Sequence, residues 1–166
     1  MAKKESYNKE VVILVGPPGS GKSTLCGNRF ASYTRISQDE MGKENHYNEF
    51  LEALKTQRKV IVDRINHKRN QRSRYIEPAM QKGFTVRIIK LNESYDVCLA
   101  RLLDRKDHPS IHHEDENFEE IARGALGGFF FEYEDVLPEE THANRKVRKS
   151  CLENGEPAKS RNRPPK

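Results

Sequence analysis

Apolar residues in this chain fall into short runs separated by long polar stretches. Val11-Val12-Ile13-Leu14-Val15 is continuously apolar and β-branched, the pattern of a strand covered on both faces, and predicts a strand over Glu10–Val15. Lys59-Val60-Ile61-Val62-Asp63 and Phe84-Thr85-Val86-Arg87-Ile88-Ile89-Lys90-Leu91 predict two more, and Ser32–Ser37 a short fourth. Between them the period changes. Tyr47, Phe50, Leu51 and Leu54 recur at helical spacing, as do Tyr75, Ile76 and Met80, whose helix should stop near Gly83. Pro78 lies inside that segment and predicts a kink. Asn92-Glu93-Ser94 reads as the cap of a helix from Tyr95 to Asp104. Asn117 to Asp135 reads as a helical region interrupted at Gly124 and at Gly127-Gly128.

Strands alternating with helices imply parallel βαβ units, hence an α/β fold: a small doubly wound parallel sheet of about four strands with helices on both faces. Residues 1–137 read as one domain and 138–166 as a basic, flexible tail. Ligands of such sheets bind beyond the carboxyl ends of the strands. That edge gathers the segment after Val15, Asp39, Asp63-Arg64-Ile65-Asn66 and the loop after the Arg101 helix.

Composition changes this picture in two places. Apolar residues make up 34% and charged residues 33%, which implies a modest core with polar segments around it. The net charge is +5, but residues 143–166 hold eight Arg/Lys against two Glu, a net of +6 that leaves −1 for the rest. A basic tail on a near-neutral domain suits a polyanion such as nucleic acid, and suits a solvated tail equally. The chain shows neither a membrane-length apolar stretch nor a signal-peptide core. Cys26, Cys98 and Cys151 are widely spaced, so neither a disulfide framework nor a zinc site is expected, and a reducing, cytoplasmic compartment is. His112-His113 lacks ligand spacing and reads as loop. Glu114-Asp115-Glu116 with Glu119-Glu120 reads as a helix-start charge bias.

The strongest chemical signal lies between the first strand and its helix. Gly16-Pro17-Pro18-Gly19-Ser20-Gly21-Lys22-Ser23 fits G-x-x-x-x-G-K-[ST], and Thr24 follows it. Glycines allow successive N–H groups to face phosphate oxygens, and the helix start adds partial positive charge. Lys22 would reach the β- and γ-phosphates of ATP, and the Ser23 hydroxyl would bind Mg²⁺. Asp39 and Asp63 each follow a strand at this edge. Asp39 is assigned as general base and, with Ser23, as a metal contact. Asp63 is assigned to orient the acceptor or organise the metal, and the two roles could be exchanged. Arg101 and Arg105 share a helix face and could stabilise charge on the group in transfer, or form a solvated face paired with Asp104 or Asp107. Arg64 to Arg74 holds five Arg/Lys with no acid before Glu77, which could grip an acceptor's phosphates or form an exposed helix face.

These stretches together resemble the P-loop polynucleotide kinases, including phage 5′-hydroxyl kinases and the kinase module of fungal-type tRNA ligases. Gly16 to Thr24 looks like that family's phosphate loop and Ile36-Ser37-Gln38-Asp39 like its catalytic-aspartate segment. Val62-Asp63-Arg64-Ile65-Asn66-His67 with Arg69, Arg72 and Arg74 looks like the D-R-x-N-H segment that meets the acceptor. Arg101 to Ile111 looks like the arginine-bearing lid. The resemblance implies ATP and Mg²⁺ at Lys22 and Ser23, Asp39 as base, Asp63, Arg64, Asn66 and Arg72 at the substrate, and Arg101 or Arg105 from the lid. Gln38 stands where many phage kinases have arginine, and no phosphatase or ligase domain is expected within the chain. The expected function is ATP-dependent phosphorylation of a nucleic-acid hydroxyl, a 5′ end marginally ahead of the hydroxymethyl of a base such as 5-hydroxymethyluracil in DNA. Nucleoside or small-metabolite kinases and a non-enzymatic nucleotide-binding module remain alternatives.

Overall fold

The computed structural model describes residues 8–105, 114 and 116–141. The lid beyond Arg105, His112-His113, Asp115 and the tail beyond Thr141 lie outside them. Four strands, β1 (Glu10–Val15), β2 (Thr34–Ser37), β3 (Lys59–Asp63) and β4 (Thr85–Lys90), form one parallel sheet in the order β2-β3-β1-β4. Helices α1 (Lys22–Arg29), α2 (Gln38–Met41), α3 (Asn45–Thr56), α4 (Arg69–Gln81), α5 (Tyr95–Asp104) and α6 (Phe118–Glu132) complete the described elements, with one 3-10 turn at Pro138–Glu140. Contacts divide the chain after Val136.

The apolar runs are continuous because both sheet faces are covered. Val11 and Ile13 join Val60, Val62, Ile36 and Val86 on one face, under Phe50 and Leu54 of α3 and Tyr75, Ile76 and Ala79 of α4. Val12, Leu14 and Ile61 face the other way onto Cys26 of α1 and Phe30. A third cluster, Cys98, Leu99, Leu102, Ala122 and Leu126, joins α5 to α6. Chain direction reverses about β1: after β1 the chain runs to the β2-β3 side, and after β3 it returns past β1 to β4. The crevice at the carboxyl end of β1 is therefore the switch point where an open α/β sheet binds its ligand.

One local expectation is corrected. The glycines of α6 do not interrupt it. Each costs about 0.5–1 kcal/mol relative to alanine, but Ala122, Leu126 and Phe129 are all buried, and their burial outweighs that cost. Pro78 lies within α4, which runs from Arg69 to Gln81. The proline lacks the N–H that would bond the Arg74 carbonyl, and the Tyr47 hydroxyl donates to that carbonyl instead, at 3.3 Å. Ser94 caps α5 as the sequence implies, its hydroxyl accepting from Val97 N at 3.3 Å.

Candidate active site

β1 delivers the chain at Val15 into the phosphate loop, and two close approaches fix the loop's path. Gly16 N donates to the Ile65 carbonyl at 3.1 Å, tying it to the segment after β3. Gly19 has φ +78°, and a Cβ there would lie 2.7 Å from the Cys98 carbonyl of α5, so a side chain is excluded both by conformation and by space. Gly21 stands at the N-cap of α1 with φ +95° and no side-chain cap, so the first-turn N–H groups of α1 are not closed off by a capping side chain. Uncapped N–H groups at a helix start favour an anion.

The Lys22 ammonium folds over this loop and donates to the carbonyls of Gly16 at 2.9 Å and Pro17 at 2.7 Å. Burial pushes its pKa down to about 8, against the opposing pull of the Asp63 and Asp39 charges. Both carboxylates thus act on the loop lysine from the ends of different strands. Asp39 is exposed in the first turn of α2, which directly continues β2. Asp63 ends β3 and is 6% exposed.

Asp63 has a partner that the sequence reading did not assign a role. Arg35 lies on β2, next to β3 in the sheet, and donates to Asp63 Oδ2 from Nε at 2.9 Å and from a terminal nitrogen at 2.6 Å. The same terminal nitrogen is 3.2 Å from Ser23 Oγ, and the other donates to Glu40 at 2.8 Å. Ser23 Oγ in turn donates to Asp63 Oδ2 at 3.2 Å. A buried carboxylate needs a cation, and the neighbouring strand supplies it. Ser23 and Asp63 bring two hard oxygen donors together, a set that suits Mg²⁺ carried in with phosphate oxygens. Among the described residues no group of three or more His, Cys, Asp and Glu side chains could hold a metal by itself.

On the opposite side, α5 packs against the loop. Arg101 donates to the Gly19 carbonyl at 3.2 Å and reaches Glu93 at 3.5 Å, so it stands at the phosphate loop. Arg105 caps the end of α5 and is exposed.

The basic run after β3 is arranged differently from the expectation. Arg72 is fully buried. It donates to the carbonyls of Asn66 at 2.9 Å, His67 at 3.2 Å, Glu134 at 2.9 Å and Asp135 at 3.1 Å. Assigned above to substrate, it instead ties the β3–α4 loop to the segment after α6. Lys68 pairs with Glu132 at 2.7 Å, and Arg69 donates to the Asp135 carbonyl at 3.2 Å. Asn66, also assigned to substrate, is fully buried at φ +45°, a left-handed position that asparagine tolerates. Its amide donates to the Leu14 carbonyl at 2.8 Å, pinning the loop to β1. Arg64, half-buried, and Arg74, exposed and stacked 3.9 Å from the Tyr47 ring centroid, are not drawn into that anchoring.

The AAA_33 family model, an AAA domain, matches residues 11–125, which include every element from β1 into α6. The chain belongs to the AAA_33 family. This AAA_33 domain is 33% identical over 122 residues to the bifunctional polynucleotide phosphatase/kinase of Schizosaccharomyces pombe, a match that covers 72% of this chain and 29% of that protein. The chain therefore spans less than a third of that relative's length. Its fold is similar to Chaetomium thermophilum Kti12 in complex with ADP-AlF3, with a TM-score of 0.51, 15% identity and coverage of 87% of this chain and 97% of the other. It is similar as well to a gluconokinase from Sinorhizobium meliloti, with a TM-score of 0.50, 17% identity and coverage of 89% and 97%. At these identities the likeness is one of fold, and the fold of the AAA_33 domain is that of the nucleotide-binding P-loop kinases. No helix among the described residues is long and apolar enough to cross a membrane.

Proposed function

We propose that this domain is an ATP-dependent phosphotransferase that phosphorylates a hydroxyl on nucleic acid, a 5′-hydroxyl end ahead of a base hydroxymethyl. The observation that carries the reading is the convergence of Lys22 with two carboxylates from different strand ends, Asp39 and Asp63, at the switch point of the sheet. The nucleic-acid acceptor is supported by the 33% identity to a polynucleotide phosphatase/kinase.

In this reading the first-turn N–H groups of α1 and the Lys22 ammonium hold the β- and γ-phosphates. Ser23 and Asp63 would hold Mg²⁺, which when bound would supply positive charge to offset that of the triphosphate. Asp39, in the first turn of α2, accepts the acceptor's proton as its oxygen bonds to the γ-phosphorus and the bond to the ADP oxygen breaks. Arg101, already bonded to the phosphate loop, meets charge on the transferring group. Arg64 is the acceptor-side cation.

The test is transfer from γ-labelled ATP to a 5′-hydroxyl oligonucleotide, to DNA containing 5-hydroxymethyluracil, and to a set of nucleosides. Label on the oligonucleotide is the expected result. Label on the hydroxymethylated DNA alone would move the acceptor to the base, label on nucleosides alone would defeat the nucleic-acid reading, and ATP binding without labelling would defeat the kinase reading.

Nucleotide affinity should also depend on pH in a defined direction. The nucleotide-free Lys22 loses its proton near pH 8. A bound triphosphate favours the ammonium, so above that pH binding must take up a proton. The ATP Kd is therefore expected to be flat from about pH 6.5 to 7.5 and to weaken above about pH 8, by at most about tenfold per unit. Titration calorimetry in two buffers of different ionisation enthalpy checks the proton uptake, which Lys22→Met should abolish.

A further inference from the structure

A line of polar groups crosses the apolar face of the sheet between Arg64 and the turn that ends α2. The Arg64 guanidinium donates to Tyr75 Oη at 3.3 Å. Tyr75 Oη is 2.7 Å from His46 Nε2, and His46 Nδ1 is 3.1 Å from the Gly42 carbonyl. Tyr75 is fully buried and His46 is 2% exposed. Gly42 closes α2, its N–H bonded to the Gln38 carbonyl at 2.8 Å and its carbonyl also accepting the His46 N–H at 3.1 Å. The line therefore ends on the four-residue helix that carries Asp39.

Its ends fix the protons between them. A guanidinium can only donate and a carbonyl can only accept. Tyr75 Oη accepts from Arg64, so its own proton goes to His46 Nε2. His46 then carries its proton on Nδ1 and gives it to Gly42. Each donor meets an acceptor only in this arrangement, with His46 neutral. Burial lowers the His46 pKa, and the positive charges of Arg64 and Arg74 lower it further, in keeping with that state.

Packing does not require these polar atoms. The Tyr75 ring meets Phe50 edge-on at 5.1 Å and Tyr47 at 5.9 Å, contacts that a phenylalanine would make equally. The hydroxyl and the imidazole are what connect Arg64 to the Asp39 helix.

We propose that His46 and Tyr75 are positioning residues that aim Arg64 at the acceptor and hold it in register with the helix carrying Asp39. The proposal deepens the kinase reading and rests on it for the identity of the acceptor. A network that only stabilised the core would leave substrate kinetics of the folded protein unchanged. A positioning role moves one kinetic constant selectively.

The decisive variant is Tyr75→Phe in the full chain. The KM for the 5′-hydroxyl oligonucleotide is expected to rise by about tenfold, with the ATP KM unchanged and kcat at saturating acceptor retained. His46→Leu should reproduce that effect, and His46→Gln, which returns an acceptor oxygen toward Tyr75, should restore most of the affinity. In an Arg64→Ala background Tyr75→Phe should add nothing. An unchanged acceptor KM, an equal shift in the ATP KM, or full additivity with Arg64→Ala would overturn the proposal. A nitrogen NMR measurement separates it from the function reading. His46 should be protonated at Nδ1 and bare at Nε2 at pH 7.5, and Tyr75→Phe should shift the Arg64 side-chain signal. If the wild-type protein labels no acceptor, the function reading fails and these spectra decide the coupling: an Nε2-protonated or imidazolium His46, or an Arg64 signal indifferent to Tyr75→Phe, overturns it.

Discussion

Asp39→Asn is expected to lower kcat for phosphate transfer by about 10²–10⁴-fold, the usual contribution of a positioned general base, while the ATP Kd changes by no more than about threefold. The substitution keeps shape and hydrogen-bonding polarity and removes the negative charge, and with it the ability to accept a proton. Asp39 is suited to the test because it is exposed at the start of α2, where its loss opens no cavity. Asp63 is the informative contrast. It is buried, accepts two hydrogen bonds from Arg35 and one from Ser23, and its charge acts on Lys22 more strongly than that of Asp39. Asp63→Asn should therefore weaken nucleotide binding and lower stability together, since it leaves Arg35 with Glu40 as its remaining carboxylate partner. Single-turnover transfer and ATP titration on the two variants separate the roles. If Asp63→Asn removes transfer with intact ATP affinity and Asp39→Asn does not, the base is Asp63.

The parts of the site that a local pattern can encode were legible before the structure. The phosphate loop announces itself because backbone geometry demands glycine at fixed spacing, as the φ of +95° at Gly21 and the 2.7 Å between a Cβ at Gly16 and Ser20 Oγ explain. The continuous runs at β1 and β3 follow from a sheet covered on both faces. What stayed hidden depends on neighbours distant in sequence. Arg35 is one basic residue in a four-residue strand until β2 is laid beside β3 and its guanidinium meets Asp63. His46 and Tyr75 look like the polar and apolar positions of two amphipathic helices, and only their packing puts Nε2 against Oη. A run of five basic residues reads as one surface, yet the fold sends its members different ways: Lys68 to Glu132 at the end of α6, Arg69 and Arg72 to the segment after α6, Arg64 to Tyr75 and Arg74 to Tyr47. The charge pattern of α4 carries no mark of that division, because Glu132 to Asp135 lie more than sixty residues away.

That division yields the largest stability effect expected in the molecule. Arg72→Met keeps the length and apolar body of the side chain and removes the guanidinium that bonds four main-chain carbonyls. Hydrogen bonds to a charged donor each contribute about 1.5–3 kcal/mol. Two of those carbonyls retain another donor: His67 O still accepts from Glu134 N, and Asp135 O from Arg69. The carbonyls of Asn66 and Glu134 bear most of the loss, so a destabilisation of about 3–4 kcal/mol is expected, or roughly 10 °C in Tm for a domain of this size. Arg72→Lys should recover only part of it, since a single ammonium cannot span carbonyls on two segments. Urea unfolding measures the midpoint, and acceptor kinetics on the folded variant complete the comparison. A residue that held substrate phosphate would show the reverse: an unfolding midpoint near that of the wild type with a raised acceptor KM. The geometry favours the first outcome, because a cation fully buried against backbone oxygens has no face left for a phosphate. The anchoring it supplies fixes the β3–α4 loop to the segment after α6, while Gly16 N and the Asn66 amide tie that loop, and with it Arg64, to the phosphate loop and β1.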